Sequence, residues 1–359
     1  MQWTKPIHVS KSKIDHAGSI LSSDSASEDE KNNAIEILDN FRAIHSYPMH
    51  VFKIRLKRKA IQVNKNALTA QRLKRIPAII KKLKRSYNEL PPTMKLSQMQ
   101  DIGGCRAVLE TVPQVRKLYQ DYYIKGDLKH KRVGVKDYII HPKQDGYRSI
   151  HIIYKYFSDK KGKTDYNGLL VEIQLRSKLQ HLWATAIETV DFFTRQAIKS
   201  NEGNAEWMNF FRLVSSAFAK IENCPTVPGT ISDKKELYLE IKKKEEELKV
   251  ISKMKTWAAT ITHFTETLKG TRKAQYFLLE LDILAGKLTY RLYTKEQEKK
   301  AIEDYAEAEK RTRDRKEYDV VLVGVDTISD LQKAYPNYFV DTSEFLEKLQ
   351  KVINESAQK

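Results

Sequence analysis

Four short runs in the middle of the chain, CRAVLETV (105–112), VKDYII (135–140), SIHIIYKYF (149–157) and LLVEIQLR (169–176), are rich in β-branched and aromatic residues and are separated by Gly, Pro, Asp and Lys turns. Runs of this length with this punctuation read as strands. Helical patterns lie between and around them, among them SKLQHLWATAIETVDFF, whose apolar positions recur every three to four residues. The fold class that follows is α+β, a mixed β-sheet flanked by helices. The sequence contains no Walker-type phosphate loop, dinucleotide glycine fingerprint or serine elbow, which removes the commonest nucleotide and hydrolase scaffolds.

A chain of 359 residues has room for a main domain and a second unit. Its 64 Lys and Arg against 46 Asp and Glu leave a formal charge of +18, which points to a polyanionic partner. The charge is unevenly spread: Lys53 to Arg85 holds thirteen basic residues and no acidic one. Such a run can be no more than a solvated helix face; here it directly precedes the strand motifs, which favours phosphate binding. No apolar stretch is long enough to span a bilayer, and MQWTKPIHVSKSK lacks the apolar core of a secretory signal. The expectation is a cytoplasmic protein without membrane contact. Two cysteines, Cys105 and Cys224, and nine scattered His give no zinc-ligand spacing, so no structural metal is expected.

Chemistry concentrates around HPKQDGYRSIH (141–151), which places Lys143, Tyr147 and His151 at the entrance to a strand. Asp101 just before one strand and Glu172 within another can converge on one hard cation. Mg²⁺ is commonly held by one or two carboxylates together with substrate phosphates. Taken singly, Asp101 could equally cap a turn and Glu172 could face solvent on an alternating strand. Arg106 and Lys143 can neutralise a polyphosphate, and Tyr147 offers a ring on which a base would stack for about 1–3 kcal/mol.

In order and spacing, DIGGCR, KDYIIHPKQDGYRSIH and VEIQLRS resemble the synthetase domain of the RelA/SpoT family, over roughly residues 45–195. Upstream, RLKRIPAIIKKLKR is similar to the family's basic helix. The resemblance implies transfer of the β,γ-pyrophosphate of ATP to a ribose 3′-hydroxyl with Mg²⁺. It implies Arg72 and Arg106 around the adenine, Lys74 and Lys82 on the ATP phosphates, and Asp101 and Glu172 on the metal. Glu172 would also help to deprotonate the attacking hydroxyl. Tyr147 would stack on the acceptor base, and Lys143, His151 and Gln174 would contact the acceptor. Phosphoryl transfer of this kind needs alignment and charge neutralisation more than covalent chemistry. Asp145 stands where the family commonly has Asn, which would set a negative charge beside the acceptor. The sequence has no adjacent His–Asp pair resembling the family's hydrolase domain.

The second half adds a Pro/Gly hinge and charged helix within ENCPTVPGTISDKKELYLEIKKKEEELKV, then QYFLLELDIL, AG and KLTYRLY as a hairpin, a charged helix, the strand YDVVLVGV and the helix TSEFLEKLQKVINE. The expected division is an N-terminal helical segment (1–44), a synthetase domain (45–232), a linker helix (233–270) and a C-terminal ββαβα domain (271–359), similar to a zinc finger without metal ligands. Tyr335 and Tyr338 in AYPNYF are a packed surface corner on the residues alone. A synthetase followed by this unit resembles the CapRel group of fused toxin–antitoxin proteins of phage defence. That resemblance implies that the two tyrosines help to block the ATP site and that a phage protein, typically the major capsid protein, releases the block. It implies pyrophosphate transfer to the 3′-terminal adenosine of tRNA, which the net charge also suits. FKIRLKRK (52–59) is the candidate for contact with the acceptor stem, and the protein is expected to be monomeric. Two other classes stand beside this one: an alarmone synthetase making (p)ppGpp or (p)ppApp with a regulatory C-terminal unit, and a non-catalytic sensor.

Overall fold

The computed structural model describes residues 3–6, 9–85, 92–126, 128–194, 205–251, 254, 276–282, 287–312, 315, 318–324 and 343–356. Helices α1 (Lys11–Ser22), α2 (Glu28–Ala43) and α3 (Ser46–Val63) lead into strand β1 (Leu68–Leu73) and helix α4 (Ile76–Leu83). Strand β2 (Gly103–Leu109), helix α5 (Val112–Leu118), strands β3 (Lys131–Asp137), β4 (Ile150–Lys155) and β5 (Leu170–Ser177) complete a five-stranded sheet in the order β1-β2-β5-β4-β3. Only β2 and β5 run parallel among neighbours, so the sheet is mixed.

Alternation along these strands separates two faces. Cys105, Ala107, Val171, Ile173, Ile150, Ile152 and Tyr154 are buried on one face, under α3, α5 and the N-terminal helices. On that side Ile14, Leu38, Phe52, Leu56 and Val115 belong to the same core. The segment 1–44 is therefore part of the main body: α1 and α2 supply Ala17, Leu21, Ala34 and Leu38 to it.

A second core lies among helices α6 (Lys178–Thr194), α7 (Ala205–Ile221) and α8 (Lys234–Leu248), around Trp183, Phe210, Phe211, Phe218 and Tyr238. Strands β6 (Tyr276–Asp282), β7 (Lys287–Tyr293) and β8 (Tyr318–Gly324) form an antiparallel sheet in the order β7-β6-β8, with α9 (Glu298–Thr312) packed on it through Ala301, Tyr305 and Ala308. The last helix, α10 (Ser343–Ser356), follows in the expected ββαβα order, but it packs elsewhere. Its Phe345, Leu349 and Val352 are buried in the second core, and the Phe345 ring lies 6.2 Å from Phe211 and 5.9 Å from Phe218. The described part of the supposed linker helix, α8, is a full member of that core. The chain thus leaves the bundle after α8, builds a ββαβ unit, and returns.

The ends of the elements also differ from the sequence reading. β3 stops at Asp137, whose Oδ1 accepts from the Ile139 and Ile140 amides and turns the chain, so Tyr138–Ile140 are not strand. Asp137 is itself held by Arg116 through both guanidinium nitrogens.

Candidate active site

Strand register gathers the site on the face of the sheet opposite the main core. Ala70 pairs with Arg106 and Arg72 with Gly104; Gly104 pairs with Glu172, Arg106 with Gln174, and Gln174 with His151. A single pocket is lined by Arg72, Lys74, Asp101, Arg106, Glu172 and Gln174. Diagonal positions on neighbouring antiparallel strands stand about 7–8 Å apart. Arg72 and Arg106 are such a pair, with the side-chain-free Gly104 opposite Arg72, a spacing that admits a flat ring between two guanidinium planes. The Nε of Arg106 is buried without a hydrogen-bond partner. Burial, then the charge of Arg176, lowers the Arg106 guanidinium to about 10.

The basic stretch is not one helix. Arg72 lies on β1, and the Lys74 amide extends the pairing by donating to the Ile102 carbonyl at 2.8 Å. Arg75 is extended and caps α4, with Pro77 in the first turn, where its missing amide costs no hydrogen bond. Ile76, Ile79 and Leu83 bury one side of α4, which leaves Lys82 on the side facing Asp101. Lys74 Nζ donates to Asp101 Oδ2 at 3.1 Å and Lys82 Nζ to Oδ1 at 2.8 Å. Burial alone would raise the Asp101 carboxyl, but the two ammonium groups bring it down to about 2. Lys74 is lowered in turn, chiefly by its own burial.

At the other end of the pocket a continuous polar chain runs along β4 and β5. His151 Nδ1 meets Glu172 Oε1 at 2.8 Å, and Gln174 Nε2 donates to Glu172 Oε2 at 2.7 Å. His151 Nε2 meets the Tyr147 hydroxyl at 2.7 Å, and Arg176 Nη2 donates to the same hydroxyl at 2.7 Å and to Gln174 Oε1 at 3.1 Å. Burial pushes Glu172 up, but the hydrogen bond and charge of His151 outweigh it, so its carboxyl sits below the ordinary value. Burial likewise opposes ionisation of Tyr147, yet Arg176 and His151 bring it down to about 7. His151 is raised against its own burial by Tyr147 and Glu172.

The loop before β4 aims these groups. Asp145 does not stand free beside the acceptor site: its Oδ1 accepts from the Tyr147 amide at 2.8 Å and shapes the turn. Gly146 adopts φ +94°, and a Cβ there would fall 2.8 Å from Trp183 Cζ2. The loop is pinned from below by Ser215 Oγ, which donates to the Gly146 carbonyl, and by the buried Arg148, paired with Glu222 at 2.9 Å. Lys143 is exposed and its Nζ lies 4.7 Å from the Tyr138 ring centroid and 5.1 Å from that of Tyr147.

The structure therefore brings together Arg72, Lys74, Lys82, Asp101, Arg106, Lys143, Tyr147, His151, Glu172 and Gln174. Tyr335 and Tyr338 lie outside the described residues. Sequence reading missed Arg176 and Tyr138; the two-residue step Glu172, Gln174, Arg176 on one strand was the signal for the first. FKIRLKRK falls on α3, where Phe52, Leu56 and Ala60 bury into the face away from the site and Arg55 and Lys59 approach the Tyr122 ring. That stretch lies behind the sheet. Asp101 and Glu172 fit a shared hard cation: both are ionised oxygen donors that line one pocket.

Residues 71–191 match the sequence model of a region found in RelA/SpoT proteins. Two curated proteins of Bacillus subtilis (strain 168) are similar: the GTP pyrophosphokinase YjbM, 28% identical over 121 residues, and the GTP pyrophosphokinase YwaC, 30% identical over 117. These alignments take in 34% and 33% of this chain, and the chain spans about half, 54%, of the length of each relative. Among solved structures, small alarmone synthetase 1 from Bacillus subtilis is 21% identical, with 52% of this chain and 92% of that one covered and a TM-score of 0.42. A GTP pyrophosphokinase family protein from Streptococcus pneumoniae is also 21% identical, with 49% and 85% covered and a TM-score of 0.39.

Proposed function

We propose that this chain, whose residues 71–191 carry a RelA/SpoT synthetase-type region, transfers pyrophosphate from ATP to a ribose 3′-hydroxyl, with the tRNA 3′-terminal adenosine as acceptor. One observation carries the reading: the residues expected to grip the donor and those expected to align the acceptor, drawn from four strands, loops and a helix, meet on one sheet face within the matched region. Arg72 and Arg106 clasp the adenine; Lys74 and Lys82 exchange Asp101 for phosphate oxygens. The acceptor hydroxyl oxygen bonds to the β-phosphorus, the bond from that phosphorus to the oxygen bridging it to the α-phosphorus breaks, and AMP leaves. The hydroxyl proton passes to Glu172, which its partners keep ionised. Asp101 and Glu172 would hold Mg²⁺, which supplies charge neutralisation on the polyphosphate.

The charge of +18 supports a polynucleotide acceptor. Self-inhibition by the ββαβ unit is supported by its seat beside β1, against which β8 lies. Release would come from a phage protein, the major capsid protein first, in the manner of the CapRel group. The names of the curated relatives favour a second reading, a guanosine nucleotide acceptor. The two separate in one competition. A chain with residues 271–342 replaced by a Gly/Ser linker, keeping α10 on its bundle, is given ATP labelled on the γ-phosphate, Mg²⁺, deacylated tRNA, GTP and GDP. Label is expected in tRNA; label confined to nucleotides would overturn the acceptor and establish the second reading.

A further inference from the structure

Arg42 of α2 is buried, with 6% of its side chain exposed, and its guanidinium joins three parts of the molecule. Its Nε donates to the Lys74 carbonyl at 2.7 Å. Its Nη1 donates to Glu309 Oε2 at 3.0 Å, and its Nη2 to the Tyr305 hydroxyl, both on α9. The Tyr305 ring centroid lies 4.8 Å from Arg42 Cζ, and Glu309 is itself only 9% exposed. Lys74 is thereby fixed at both backbone groups, its amide by Ile102 and its carbonyl by Arg42, while its ammonium reaches Asp101.

A planar fork with several rigidly spaced donors can hold two elements in one register, which a lysine cannot. A buried guanidinium is stable only while its partners stay. Departure of α9 removes a carboxylate and a hydroxyl from Arg42 and leaves it the Lys74 carbonyl and the nearby charge of Asp39. A cavity of about 350 Å³ adjoins this contact, lined by Trp3, Arg42, Arg72, Tyr276, Tyr305 and Leu322.

We infer that Arg42 is a positioning residue for the Lys74 phosphate grip and the point at which docking of α9 is coupled to it. This rests on the pyrophosphotransfer reading above. Glu309 and Tyr305 serve only the docked state, whereas the bond from Arg42 to the Lys74 carbonyl serves both states. The two sides of the fork therefore give different results on activity although either opens the unit.

The test uses the full chain without any trigger and two readouts, hydrogen exchange of the α9 amides and transfer of γ-labelled pyrophosphate to a mixture of tRNA and nucleotides. Glu309→Gln and Tyr305→Phe are expected to speed α9 exchange and to raise transfer by about tenfold or more. Arg42→Met is expected to speed exchange as much, yet to transfer about tenfold more slowly than Glu309→Gln, with a raised KM for ATP and an unchanged KM for the acceptor. Unchanged exchange in Glu309→Gln and Tyr305→Phe would overturn the docking role. Arg42→Met transferring as well as Glu309→Gln would overturn the positioning role. Faster exchange with no label in any acceptor from any variant would count against the pyrophosphotransfer reading while upholding the docking contact.

Discussion

At the scale of single residues, the site is a set of charges that hold one another. Asp101 satisfies Lys74 and Lys82, and Glu172 is held by His151 and Gln174. The Tyr147 hydroxyl, squeezed between His151 and Arg176, is a phenol for which ionisation is made easier, at about 7 against an ordinary value near 10. Its tyrosinate absorbance should titrate as one tyrosine near pH 7, vanish in Tyr147→Phe and move upward in Arg176→Met, which removes the cation. A single-tyrosine titration near neutral pH that persists in Tyr147→Phe would contradict the geometry. Most of these residues were legible in the sequence because fixed motifs carry them on strands of known alternation. Arg176 was not, although it stands within VEIQLRS, since its role arises only when β5 lies beside the loop that carries Tyr147. Asp145 was read only as a charge; its bond to the Tyr147 amide, which shapes the turn, shows only in the fold.

At the scale of elements, strands that bury one face announced themselves, and β1 did not. LTAQRL (68–73) sits inside the basic run, with Arg and Gln among its six residues, and only its pairing with β2 makes it a strand. The helix α10 was placed correctly in sequence and wrongly in space. Its apolar stripe of Phe345, Leu349 and Val352 fixes that it must bury a face, and nothing local says against what. It closes the second core, and Phe345 is fully buried there. Phe345→Ala should cost about 3–5 kcal/mol in urea unfolding followed by the fluorescence of Trp183 and Trp207, both in that core. A loss below about 1 kcal/mol would show that α10 does not close it. The loop before β4 rests on the same bundle through Ser215 and Arg148–Glu222, so truncation before α10 would disturb the site from beneath.

For the whole molecule, the outcome is an insertion held at both ends. α8 and α10 pack on each other, and the ββαβ unit between them touches the main body at β1 and Arg42. A tethered unit acts at about millimolar effective concentration, so modest contacts keep it docked. About 2.7 kcal/mol holds such an equilibrium about 99% closed, and a partner must supply at least that in differential binding to reverse it. The double anchorage favours a hinged opening over loss of a tail. The order of elements could be read from the sequence; the return of the chain to its own bundle could not, because it depends on a contact between residues more than a hundred apart. Transfer centred on Glu172 is the claim on which everything else depends. With the chain whose residues 271–342 are replaced by a linker, labelled ATP and a mixture of acceptors, the account expects AMP and labelled acceptor to form together, and Glu172→Gln to slow both by about a thousandfold or more with folding unchanged. Equal rates in the two chains would contradict it.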